Sequence, residues 1–158
     1  MIGQQIEPRM RLPLMVVSEA EKLTGQPLNG RTRLTKLVFL LQSMKPAIVE
    51  GIIRPGRDYP FVPYKFGPFS QELLSDLDQL KANGLLRTGI RDLDSKGFVV
   101  ERVYELTPEG RRFLGASLPS SQADTEARRF LDEFLALSRS ELVSYVYRRF
   151  PAFVSHEQ

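Results

Sequence analysis

Tyr64-Lys65-Phe66-Gly67-Pro68-Phe69-Ser70 opens a run of sequence, ending at Thr107-Pro108-Glu109-Gly110, whose reading decides the fold. From Phe69 on, apolar side chains recur at Phe69, Leu73, Leu74, Leu77 and Leu80. These steps of three and four place one stripe on one face of a helix. Gly67-Pro68 reads as its start, since proline costs no hydrogen bond in a first turn. Asn83-Gly84 reads as its stop, because glycine accepts the left-handed conformation that closes a helix. The period then changes. Leu85-Leu86 leads into a polar stretch from Arg87 to Lys96 and a turn at Gly97. Phe98-Val99-Val100-Glu101-Arg102-Val103-Tyr104-Glu105-Leu106 follows and reads as a strand. Thr107 caps a returning helix, with Pro108 at its first position. This order predicts a mainly α protein with one antiparallel β-hairpin between Leu85 and Leu106, and it is the back half of a winged helix-turn-helix.

Upstream, Met1 to Leu12 shows no clear period and reads as a flexible or loosely docked N-terminal arm. Pro13 to Leu23 patterns as a first helix stopped near Gly25. Arg31 to Met44 is the strongest helix, with a stripe of Leu34, Leu37, Val38, Leu41 and Met44 widened by Phe39 and Leu40. A helix this apolar is covered on most sides, which makes it the central core helix. Lys45-Pro46 ends it. The stretch from Ala47 to Pro63, with Gly51, Pro55, Gly56, Pro60 and Pro63, reads as a long loop of functional type. Ile48-Val49 and Ile52-Ile53 pin it, and a short strand is expected within Phe61 to Phe66.

Downstream, Leu114 to Ala123 is a break. A helix from Asp124 to Leu137 carries Ala127, Phe130, Leu131, Phe134 and Leu135. Ser138 and Glu141 have capping-box spacing ahead of a last helix, Ser140 to Phe150, halted at Pro151. The resulting division is an arm (1–12), a winged-helix domain (13–117) and a C-terminal helical extension (123–151) packed on that domain or on a dimer mate. Phe130, Phe134, Tyr145 and Tyr147 suggest a homodimer through the last two helices. The expected core joins Leu37, Val38, Leu41, Phe69, Leu73, Leu77, Leu80 and Tyr104.

The 158 residues fit one domain able to bury a core without staples. There is no cysteine, which excludes a disulfide-built domain and thiolate chemistry. The longest apolar run, Leu37 to Leu41, is far short of a membrane span. No signal-peptide core precedes Pro13, and the reading is cytoplasmic with no membrane partner. The net charge of +3 and pI near 9.3 allow nucleic-acid binding without demanding it.

No catalytic constellation emerges. His156 is the single histidine, too few for a histidine metal site or triad. Asp76 and Asp78 are two apart on a helix and diverge. Asp92 and Asp94 lie near a hairpin tip and read as turn carboxylates. No phosphate loop of P-loop type is present. The expectation is a binding module, with no enzyme activity, metal or cofactor.

Charge placement gives the candidate contacts. Arg31, Arg33, Lys36 and Lys45 lie on a segment without acids, whereas Glu72, Asp76 and Asp78 outweigh Lys81 on the helix from Pro68 to Gly84. In a winged helix this second helix enters the major groove, where negative charge opposes docking. The hairpin is balanced, Arg87, Arg91, Lys96 and Arg102 against Asp92, Asp94, Glu101 and Glu105. Candidate DNA contacts are Arg31, Arg33, Lys36, Ser70, Gln71, Ser75, Lys81, Arg87, Lys96 and Arg102, with Ser70, Gln71, Ser75 and Gln79 able to touch base edges. The competing reading of Arg31, Arg33 and Lys36 is a solvated helix end, with Lys36 pairing to a carboxylate at the rim of the core. Six phosphate contacts from a dimer using these three give a log–log salt slope of about −5.

Three motifs together carry a resemblance: Arg31-Thr32-Arg33-Leu34-Thr35-Lys36-Leu37-Val38-Phe39-Leu40-Leu41; the Tyr64 to Ser70 motif with Asp76-Leu77 and Gly84-Leu85-Leu86; and Tyr104-Glu105-Leu106-Thr107-Pro108-Glu109-Gly110. Over 31–113 the chain resembles the uncharacterised YwgA-type prokaryotic winged-helix proteins and, more distantly, the SocA-like Panacea antitoxin domain. Tyr145-Val146-Tyr147-Arg148-Arg149-Phe150-Pro151 also fits the first group. The chain departs from Panacea after Met44. The resemblance implies a winged helix associated with transcription regulation or toxin neutralisation, and it transfers no catalytic residue. Two functions follow as expectations. One is a DNA-binding regulator acting as a dimer. The other is a protein-binding module of antitoxin or adaptor type, with Glu72, Asp76 and Asp78 as its contact face.

Overall fold

Helix α2 (Arg31–Met44) runs through the centre of the protein, with α1 (Arg11–Thr24) packed against it. The computed structural model describes residues 6–53, 56–65, 67–97, 100–116 and 121–154. Leu34, Leu37, Val38, Phe39, Leu40 and Leu41 of α2 are all buried, so the helix is covered on most sides as its apolar sequence requires. Each such side chain contributes about 1.5–3 kcal/mol on leaving water. The structure is mainly helical with a small antiparallel sheet.

Between and after these helices come β1 (Leu28–Asn29), α3 (Pro46–Glu50), β2 (Val62–Tyr64), β3 (Gly67–Phe69) and α4 (Gln71–Ala82). The chain continues through β4 (Leu86–Asp92), β5 (Val100–Leu106), α5 (Pro108–Ala116), α6 (Ser121–Leu135) and α7 (Arg139–Arg149). Strands β1, β5 and β4 form one antiparallel sheet in that order, with Leu86 opposite Leu106 and Asp92 opposite Val100. Strands β2 and β3 form a separate hairpin.

Local signals account for most boundaries. Gly25 closes α1 at a left-handed φ of 69°. Ser70 caps α4 by accepting from the Leu73 N–H. Ser138 and Glu141 form a reciprocal capping box on α7. Thr107 Oγ1 accepts from Gly110 N–H and donates to the Gly84 carbonyl at 2.6 Å, while Thr107 N–H donates to the Leu85 carbonyl. These bonds clasp the base of the β4–β5 hairpin to the start of α5. The clasp leaves no space at Gly110, where a Cβ would stand 2.1 Å from the Leu85 oxygen.

Several expectations are corrected. Gly67-Pro68 does not begin α4; it belongs to β3, pairing with Tyr64 and Pro63. The long loop contains a short helix, α3, started by Pro46, and its Val49, Ile52 and Ile53 are buried. The arm is not loose where it is described: Met10, Arg11 and Leu12 are buried, and α1 begins at Arg11. Residues 1–5 of that arm, Phe66, Phe98, Val99 and His156 lie outside the described residues. Helix α6 packs on α1, α2 and α3, and α7 on α2 and β3. Phe130 and Phe134 are therefore buried within one chain, with Phe134 edge-on to Tyr145 at 5.0 Å. Of the four aromatic residues that suggested a dimer face, Phe130 and Phe134 lie in the core and Tyr145 packs against it, whereas Tyr147 is 37% exposed.

Candidate nucleic-acid interface

A cleft of about 190 Å³ opens between the start of α2, helix α4 and the β4–β5 sheet. Leu74, Leu77 and Tyr104 supply its apolar lining, with Gln71, Asp78, Thr88 and the cations Arg31, Lys81 and Arg102 around it. Backbone bonding brings two of these cations together. Gly30, the residue before α2, donates its N–H to the Arg102 carbonyl at 2.8 Å, so Arg31 and Arg102 stand on adjoining segments. Arg31 Nε also donates to the Tyr104 hydroxyl at 3.4 Å. Lys81 reaches the cleft from the last turn of α4. Among the described residues none of the three has a carboxylate within ion-pair distance. The unpaired N–H groups starting α2 add positive partial charge.

The remaining sequence candidates separate by burial. Gln71, Ser75 and Gln79 are exposed on α4. Ser70 is buried and spent on its cap. Arg33 donates to the Leu135 and Leu137 carbonyls at 2.9 and 3.0 Å, tying α2 to the end of α6. Burial pushes its guanidinium below the ordinary value. Lys36 is 2% exposed. Its amine lies against the β2–β3 hairpin, where a Cβ at Gly67 would stand 3.0 Å from Nζ. Burial, helped by Arg139, lowers its pKa to about 8. Lys36 is thus corrected from a phosphate contact or solvated residue to an interior one, and Arg33, half-buried, is corrected to a residue committed to the end of α6. Arg87 pairs across the hairpin with Glu105 at 3.6 Å, and Arg91 with Glu101 at 2.6 Å. Lys96 is exposed at the hairpin tip, where Asp92 and Asp94 accept backbone N–H bonds from Asp94, Lys96 and Gly97 and so build the turn.

The acidic face of α4 also changes. Asp76 is 4% exposed and accepts from Arg9 Nε at 2.9 Å and from the Tyr59 hydroxyl at 2.7 Å. Burial beside this carboxylate pushes the Tyr59 phenol far above its usual pKa. Glu72 is exposed but bonded to Arg9 at 2.8 Å. Only Asp78 of the proposed partner face is open and not ion-paired. With Arg9 and Lys81 set against Glu72, Asp76 and Asp78, this region carries one net negative charge rather than two. Sequence reasoning missed Arg9, Tyr59, Thr88 and the packing role of Arg11. The apolar steps Met10, Leu14 and Val17 were the signal that α1 starts earlier.

No helix among the described residues is long and apolar enough to cross a membrane, and no group of three metal-ligating side chains occurs among them. The chain matches no known protein-family model and no curated protein.

Proposed function

We propose that this chain is a winged-helix protein that binds double-stranded DNA as a transcriptional regulator. The order α1-β1-α2-α4-β4-β5, with sheet order β1-β5-β4, supports the winged-helix reading. Helix α4 then takes the major groove, offering Gln71, Ser75 and Gln79 to base edges. Arg31, Lys81 and Arg102 flank it as phosphate contacts. Their convergence from three elements, without ion-pair partners, is the observation that carries the proposal. It is a proposal of binding, with no catalytic step and no cofactor.

Fluorescence anisotropy with duplex DNA tests it. Three phosphate contacts per bound copy give a log–log salt slope of about −2.7, or about fortyfold weaker binding at 200 than at 50 mM salt. Arg31→Ala with Arg102→Ala reduces the slope to about −0.9. No duplex binding at 50 mM salt sinks the reading.

A second reading, the protein-binding module of antitoxin or adaptor type, draws on the wing. Arg87 and Arg91 are already paired there, and Leu93 and Val100 are 51% and 52% exposed, a poor surface for phosphate. Loss of DNA binding at every salt concentration, with retained folding, favours this reading.

A further inference from the structure

Strand β4 is the outer strand of its sheet, bonded to β5 on one side only. The direction of its free backbone groups follows from β5. The Arg102 carbonyl accepts from Gly30, on the side away from β4, and Ile90 is the register partner of Arg102. In an antiparallel ladder the N–H and C=O of one residue point to the same side. Ile90 therefore turns both groups to the open edge, and Thr88 and Asp92 do the same by alternation. The Leu85 carbonyl, which accepts from Thr107, fixes the opposite parity at the hairpin base. Among the described residues the backbone groups of Thr88, Ile90 and Asp92 bond to no other segment. Ile90 is also 62% exposed, a large β-branched side chain at the middle of an open edge.

We propose that this edge is a self-association surface: two copies pair β4 with β4 antiparallel about a twofold axis at Ile90. The sequence of the strand is complementary to itself in this register. Ile90 meets Ile90 of the second copy, Thr88 meets Asp92, and Gly89 meets Arg91. Moving the axis by one residue sets arginine against arginine, Arg87 facing Arg91 in one direction and Arg91 facing itself in the other, which destabilises a cross-strand pair. Leu86, where the strand is buried at its helix-covered end, lies four residues from the axis. The two Leu86 positions then stand about 27 Å apart along the strands. The paired segment is short, below the size of stable interfaces, so the association is weak. The proposal does not depend on DNA binding.

Light scattering on the full chain from about 20 to 500 µM shows a monomer–dimer equilibrium if the edge is used. Ile90→Pro removes an N–H that points out of the sheet, so the hairpin ladder survives while association is lost. Circular dichroism checks that the fold is retained. Register is read by cysteines, since the chain has none of its own. Ile90→Cys places two thiols on Cα atoms about 5.5 Å apart, within disulfide reach. Thr88→Cys places them about 14 Å apart, out of reach. At least tenfold more oxidised dimer from Ile90→Cys than from Thr88→Cys is the expected result. A monomer throughout the range, as when a foreign strand is the true occupant, overturns the proposal. So does a dimer that survives Ile90→Pro in folded protein, or equal cross-linking by both cysteines.

Discussion

Arg9 and Asp76 are joined across 67 positions of sequence, with Arg9 Nε 2.9 Å from Asp76 Oδ2 in a setting that exposes little of either side chain. The same guanidinium bonds Glu72 and lies 4.7 Å over the Tyr59 ring. Tyr59 is itself held by paired backbone bonds to the Gln42 side chain, at 3.0 and 2.9 Å. Arg9, two residues before α1, thus helps fasten α4 and the long loop to α2.

Removing Arg9 leaves the Asp76 carboxylate buried beside a phenol with no compensating charge. Arg9→Met is expected to cost about 3 kcal/mol, a cost of the size seen when one partner of a buried pair is deleted. Urea unfolding measures it, and a loss under about 0.5 kcal/mol, the range of ordinary surface substitutions, shows the pair to be dispensable. The substitution Asp76→Lys sets a second cation beside Arg9 in the interior and is expected to unfold the protein, which circular dichroism reads.

Leu77 is buried on α4 and borders the cationic cleft. Leu77→Ala is expected to destabilise by about 2–5 kcal/mol through lost burial and cavity formation. An unchanged melting temperature shows that the stripe of α4 is not packed as described.

Gly110 admits no side chain because the clasp brings the Leu85 carbonyl against it. Gly110→Ala is expected to force α5 away from the hairpin base and to cost about 3 kcal/mol or more, at the upper end of overpacking penalties. A Gly110→Ala protein as stable as the parent rules out the close approach.

Lys36 gives a pH dependence whose sign follows from its lowered pKa of about 8, against an ordinary 10.5. Between these values the unfolded chain holds a proton that the folded chain releases, so the Lys36 contribution to stability rises with pH across that window. Below pH 8 both states are protonated and the burial penalty is constant. Lys36→Met is expected to flatten this rise. Urea unfolding of both proteins at pH 7.5, 9 and 10.5 checks the difference, and parallel curves show that Lys36 is not the group responsible.

The helices were legible where local chemistry decides them. The apolar run of α2, the stop at Gly25, the Thr107 cap and the Ser138–Glu141 box all act within a few residues. The cleft was legible in composition, since Arg31, Gln71, Lys81 and Arg102 stood among the candidates, but their convergence depends on the Gly30–Arg102 bond. What sequence could not separate was a charge facing water from one facing the interior. Arg33 and Lys36 lie on the same helix as Arg31, and only α6 and the β2–β3 hairpin decide which are covered. Arg9 and Arg11 were illegible for a related reason, as their partners lie at Asp76 and Asp124. Gly67-Pro68 misled because proline suits an outer strand as well as a first turn.

The polar contacts between α1 and α6 constrain the order of events during synthesis. Arg11 bonds Asp124 at 2.8 Å, and Glu19 accepts from Arg128, partners 113 and 109 residues further on. A ribosome adding ~5–20 residues per second makes them about 5–20 s after α1 emerges. Until then Arg11 and Glu19 lack these partners, and the face of α1 that α6 covers stays open to water. Part of the first helix made is therefore among the last surfaces to be covered, and the part of α2 that packs on α6 waits with it.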